Sequence, residues 1–146
     1  MYFEDFYVGQ TWQIAPFQIS REQIIDFASR YDPLPIHVDE EYARTSRFGG
    51  LIASGPMSFM LFWTEFFRTS GALDSGLIAG LRNRMEWFLP TRPGDSLQGT
   101  VSVIAVHSRN GYNGEVAMEI KGYNQDGVFC MAGGADICFE KRPQTA

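Results

Sequence analysis

Basic residues are scarce in this chain of 146 residues and never cluster: 12 Lys and Arg stand against 17 Asp and Glu, for a formal net charge of −5. A surface of that sign repels phosphate backbones, so nucleic acid is not an expected partner. Long apolar runs are missing as well. The longest, MSFMLFW, falls far short of the roughly 20 residues that a membrane span needs, and Glu65 and Arg68 follow it closely, so no membrane partner is expected. The first ten residues, MYFEDFYVGQ, carry acids where a secretion signal carries bases, and they lack its apolar stretch and small-residue cleavage site. A cytoplasmic protein is the expectation.

Cysteine and histidine are nearly absent, with two of each. Cys130 and Cys138 are eight residues apart in a stretch that reads as one strand, where about 3.3 Å per residue separates them by roughly 26 Å. That is several times the reach of a disulfide. Neither belongs to a CxxC pair, and His37 and His107 show no metal-ligand spacing such as HExxH. No metal site is expected, and both cysteines read as small core residues.

What the chain does have is apolar material: 45% hydrophobic and 14% aromatic residues beside 20% charged ones. That suits one compact domain over residues 1–146, with an ordered core from about residue 3 to 142. There is no internal repeat, and only the tail PQTA looks loose. In SREQIIDFASRY, Ser20 and Gln23 are spaced as a capping box, and Ile24, Phe27, Ala28 and Tyr31 recur along one helical face. Pro33 and Pro35 then oblige the backbone through Asp32–Pro35 to be extended or turned. Asp39 suits the cap of a second short helix running to about Ser46.

A long helix is predicted from Gly55, with Pro56 at a first-turn position. Its apolar residues cover nearly every side, the pattern of a helix enclosed by other structure. From about residue 77 strand patterns take over: LRNRMEWFLP, a run through Leu97, Val101 and Val103, VAMEIKGY, and VFCMAGGADICFEK, separated by TRPGD, SRNGYNG and the Asp126-Gly127 turn. His107 reads as a strand-end residue. With WQIAPFQI as a fifth strand, the expected class is α+β, an antiparallel sheet curved around a central helix.

Two chemical readings present themselves. Asp32 and His37 are five residues apart, so a turn within PLP lets both side chains face one water as an acid/base pair near neutral pH; equally, Asp32 stops one helix, Asp39 caps the next and His37 packs between them. Gly55 opens the long helix, where a backbone N–H and the helix dipole favour an anion, yet it also serves as a simple helix start. Met57, Met60, Phe62, Trp63 and Phe66 read either as core or as the lining of an acyl tunnel. Arg82, Arg84 and Arg92 flank the first strand of the meander, in positions to meet phosphates.

DPLPIHVD, FGGLIASGPM and FLPTRPGDSL, in that order and spacing, resemble the MaoC-like dehydratases, close to the R-specific enoyl-CoA hydratases, from about EDFYVGQ to CFEKR. The family hallmark is an Asp, two residues later an Asn, then Pro, an apolar residue and His, with a glycine-rich segment leading into the central helix. Asp32, Pro35, His37 and FGGLIASG take those places, while Leu34 stands where the family has Asn and Ser54-Gly55 where it often has His-Gly. The resemblance implies a hot-dog fold and a homodimer or dimer of dimers. It implies a hydratase or dehydratase acting on 2-enoyl or 3-hydroxyacyl thioesters of coenzyme A or an acyl carrier, with no cofactor besides the coenzyme A of the substrate. Asp32 and His37 would hold and activate water, the Gly55 N–H would polarise the thioester carbonyl, and Ser54, Leu34, Met57 and Arg84 would contact substrate. A thioesterase or a non-catalytic acyl-CoA-binding subunit are the alternatives.

Overall fold

The computed structural model describes residues 1–74 and 76–145. Five strands form one antiparallel sheet: β1 (Thr11–Gln18), β2 (Leu77–Trp87), β3 (Ser96–Ser108), β4 (Asn113–Tyr123) and β5 (Phe129–Glu140), in the order β1-β3-β4-β5-β2. Among the described residues four α-helices lie between β1 and β2: α1 (Arg21–Tyr31), α2 (Pro35–Val38), α3 (Glu40–Thr45) and α4 (Gly55–Ser70). Among the described residues no helix is long and apolar enough to cross a membrane.

The alternation of β4 explains how the sheet faces α4. Val116, Met118 and Ile120 are buried while the residues between them are less so, the period-two signature of a sheet with one face on the core. Phe59, Phe62 and Phe66 of α4 are fully buried against that face, and each contributes roughly 1.5–3 kcal/mol of hydrophobic stabilisation. Two glycines let the helix settle so deeply. A Cβ on Gly133 would stand 2.9 Å from the Phe59 ring, and one on Gly122 would stand 2.7 Å from that of Phe62.

Three sequence expectations need correction. The central helix is not enclosed on every side: Met60 is 46% exposed, because the sheet covers only one flank of α4. Tyr31 does not complete the buried face of α1, being 72% exposed at the helix end, where its ring leans on Phe27 at 5.2 Å. The strand expected over LRNRMEWFLP starts earlier, at Leu77, and stops at Trp87, short of Pro90, which has no N–H for a ladder. His107 lies one residue before the end of β3, opposite Glu115. Cys130 and Cys138 are free and buried, and burial pushes the Cys130 thiol above its ordinary range, away from nucleophilic character.

Candidate active site

The Ser20 hydroxyl accepts the N–H of Gln23 and the Gln23 side chain accepts that of Ser20, so α1 starts where the capping box sits. The helix closes with the Asp32 N–H donating to the Ala28 carbonyl at 2.9 Å. Asp32 and Leu34 then adopt non-helical backbone angles, as residues preceding proline do. Pro35 opens the single turn of α2, and His37 is carried on that turn rather than on extended chain. Asp39 caps α3 by accepting the Tyr42 N–H at 3.1 Å.

The segment before α4 locks onto this turn from both directions. The Ile52 N–H donates to the Ile36 carbonyl at 3.2 Å, and the Ile52 carbonyl lies 2.7 Å from Nδ1 of His37. A carbonyl only accepts, so Nδ1 carries the proton and, in the neutral ring, Nε2 keeps its lone pair. Nε2 faces Oδ2 of Asp32 at 3.4 Å. The same Oδ2 receives a hydrogen bond from the Ser54 hydroxyl at 2.7 Å. His37 is 5% exposed and Ser54 fully buried, whereas the Asp32 side chain keeps 29% of its surface. The dyad is thus a buried imidazole beside a carboxylate that solvent still reaches.

A cavity of about 310 Å³ opens beside it, lined by His37 and Gly55 together with Phe48, Ile52, Ala53, Ser58 and Trp87–Thr91. Most of this lining is apolar, as small-molecule sites generally are. Gly55 is the first residue of α4, so its N–H has no partner within the helix and lies at the positive end of the helix dipole. His37 and Gly55 therefore meet at this cavity, while the Asp32 carboxylate, not among its lining residues, stands beside Nε2 of His37.

The structure brings together Asp32, His37, Ser54 and Gly55, and sets the other candidates apart. Leu34 is 51% exposed and does not line the cavity. Met57 is buried in the hydrophobic core, and its neighbour Ser58 lines the cavity instead. Arg84 lies over Gly134, which has no Cβ to obstruct it, with Nη1 3.9 Å from Asp136. Arg82 pairs with Asp136 and Glu115, and Arg92 donates to the Phe48 carbonyl at 2.6 Å. Phe62, Trp63 and Phe66 belong to the core cluster.

Two contributors were invisible beforehand. Ile52 acts through its backbone carbonyl, and Trp87 acts by position, as the last residue of β2; in sequence both read only as apolar. Among the described residues no group of three or more His, Cys, Asp or Glu could hold a metal ion. A larger groove of about 640 Å³ is lined by Ile78, Tyr112, Asn113 and residues 140–144. Its cations are already engaged, Lys141 by Ser108 and Asn110 and Arg142 by Asp5, and it contains neither histidine.

Residues 7–132 match the family model described as FAS1-like, dehydratase domain region. The chain is 32% identical to the uncharacterized protein YdeM of Bacillus subtilis (strain 168), over 97% of this chain and the whole of that one. Among solved structures, a MaoC-like dehydratase from Rhodospirillum rubrum superposes with a TM-score of 0.84 at 30% identity, covering 99% of both chains. The unliganded R-hydratase PhaJ1 of Pseudomonas aeruginosa shares the fold, with a TM-score of 0.70 at 24% identity over 99% of this chain and 92% of that one.

Proposed function

The chain belongs to the FAS1-like dehydratase-domain family, with the hot-dog fold of the MaoC-like dehydratases, and from that premise we propose that it hydrates 2-enoyl thioesters of coenzyme A or an acyl carrier, or dehydrates the 3-hydroxyacyl forms. The observation that carries this reading is the Asp32–His37 pair, Oδ2 to Nε2 at 3.4 Å, with the imidazole pinned by Ile52 and Gly55 in the same cavity. Two acceptors without a proton between them repel. A water donating one hydrogen to each relieves that repulsion and keeps an oxygen lone pair free to attack.

Water then adds across the C2–C3 double bond. One O–H proton passes to the dyad, the oxygen bonds to the β-carbon, and a proton is delivered to the α-carbon, so nothing is oxidised or reduced and no cofactor is required. Negative charge collects on the thioester oxygen along the way, where the Gly55 N–H at the head of α4 is suited to receive it. The reverse sequence expels water from a 3-hydroxyacyl thioester. Structural relatives named as R-hydratases and a 3R-hydroxyacyl-ACP dehydratase support this choice of chemistry.

The functional unit is proposed to be a homodimer, or a dimer of dimers. Among the described residues β2 lies at the end of the sheet with β5 as its strand neighbour, and it carries Ile78 and Trp87 with nearly half of their surface exposed. The outer edge over residues 78–87 is a ready template for a second strand. Light scattering that returned the mass of one chain would sink the pairing.

The catalytic reading is tested by following loss of conjugated absorbance from crotonyl-CoA and longer enoyl-CoAs with the wild type, Asp32→Asn and His37→Ala. A wild type no faster than either variant at every chain length would end it. Thiol release from saturated acyl-CoA would instead identify a thioesterase, and tight binding without turnover a non-catalytic acyl-CoA module.

A further inference from the structure

Ser54 stands immediately before α4, where a serine is normally explained as a helix cap. It does not cap here: its side chain makes no hydrogen bond to the helix start. Instead its hydroxyl, fully buried, donates to Oδ2 of Asp32 at 2.7 Å across 22 residues of sequence. Pro56 has no N–H to cap, and the Met57 and Ser58 N–H groups already donate to the Ser54 carbonyl, so the hydroxyl's contact with the carboxylate points to work on the carboxylate.

Resting on the hydration reading above, we infer that Ser54 is a positioning residue for the reaction: it holds Asp32 as a charged acceptor turned toward His37, and does not contact substrate. The residue does not line the cavity. The rotation of a carboxylate on its Cβ–Cγ bond is otherwise soft, and among the described residues His37 is the one charged or titratable group within ion-pair distance of Asp32. With the hydroxyl in place, Oδ2 accepts from Ser54 on one side and faces Nε2 on the other, so its remaining lone pair and that of Nε2 are set to hold the two hydrogens of a water. The family position usually held by an amide is Leu34, which is exposed here, so the carboxylate is oriented from the head of α4 rather than from the loop.

The test is Ser54→Ala and Ser54→Thr, assayed on enoyl-CoA with kcat and KM separated, beside thermal unfolding. Ser54→Ala removes atoms only and takes no cap from α4, so it is expected to fold. A hydrogen bond to a charged group is worth roughly one to two decades, and the expected result is a kcat lowered about 10- to 100-fold with KM unchanged. Ser54→Thr, which keeps the hydroxyl, restores kcat. A Ser54→Ala enzyme with kcat within about twofold of wild type overturns this role alone; a wild type that hydrates no enoyl thioester overturns the functional reading and this role with it.

Discussion

The indole of Trp87 occupies the place where a Cβ on residue 55 would be: a methyl built on Gly55 stands 2.1 Å from Cε2 of the ring. Glycine at this position is therefore a packing requirement as well as a helix start, and the ring of an edge strand roofs the first turn of α4. Gly55→Ala is expected to cost about 1–3 kcal/mol, the range for overpacking a tight site. Trp87→Ala in the same chain relieves the clash, so a double-mutant cycle by denaturant unfolding should return less than the sum of the two single effects. Additivity within a few tenths of a kcal/mol would show that the two residues do not oppose each other.

Asp32 and His37 are expected to behave as one device. Losing either removes the seat for a single water, so Asp32→Asn and His37→Ala should each lower kcat/KM by roughly 10²–10⁴-fold. The double variant should be about as slow as the worse single one, because effects of groups acting as a unit do not multiply. Losses that multiplied in the double variant would mean that the two residues act at separate steps.

Asp5 offers a prediction away from the cavity. The Tyr2 backbone N–H, donating at 2.8 Å, and then the Arg142 guanidinium hold its carboxyl below the ordinary value of 3.8. A depressed carboxylate stabilises the fold above its unfolded value and loses that contribution as pH falls through the lowered native one. The Tm gap between wild type and Asp5→Asn should be steady from neutral pH down to about pH 5 and close in stronger acid. A gap that widens toward low pH contradicts the assignment.

Ser20→Ala removes the hydroxyl that accepts the Gln23 N–H. The expected loss is about 0.5–2 kcal/mol, read as a lower urea midpoint at unchanged slope. Because α1 leads directly into Asp32, a substantial fall in turnover at temperatures where the variant is fully folded would reveal that the cap also sets the position of the carboxylate.

Features resting on neighbours in sequence were legible before the fold was known. The Ser20–Gln23 box, the break at Pro33 and the Asp39 cap involve residues within a few positions of one another, and side-chain type largely decides them. Asp32, His37 and Gly55 could be singled out by order and spacing. The bond from His37 to Ile52, the Ser54 hydroxyl on Asp32 and the indole over Gly55 could not. Each joins residues at least 15 positions apart in sequence that only the folded chain brings together, and a backbone carbonyl leaves no mark in a sequence. Exposure failed for a related reason. Periodicity groups Tyr31 with the buried face of α1 and Met60 with its apolar neighbours on α4, but it does not say where the covering elements stop.

Gly122 and Gly133 sit under Phe62 and Phe59, about two turns and one turn along α4 from its first residue. They act as the bearing on which a rigid rod rests, and the near end of that rod is Gly55. His37 is moored separately, to the segment through Ile52. A methyl added at Gly122 would press on Phe62 and tilt or lift the rod, shifting the helix head relative to the imidazole without touching either. Misplacement of about 1 Å between reacting groups is enough to cost 10²-fold in rate, so the turnover of this protein is open to adjustment from the middle of its sheet by residues that no substrate ever meets.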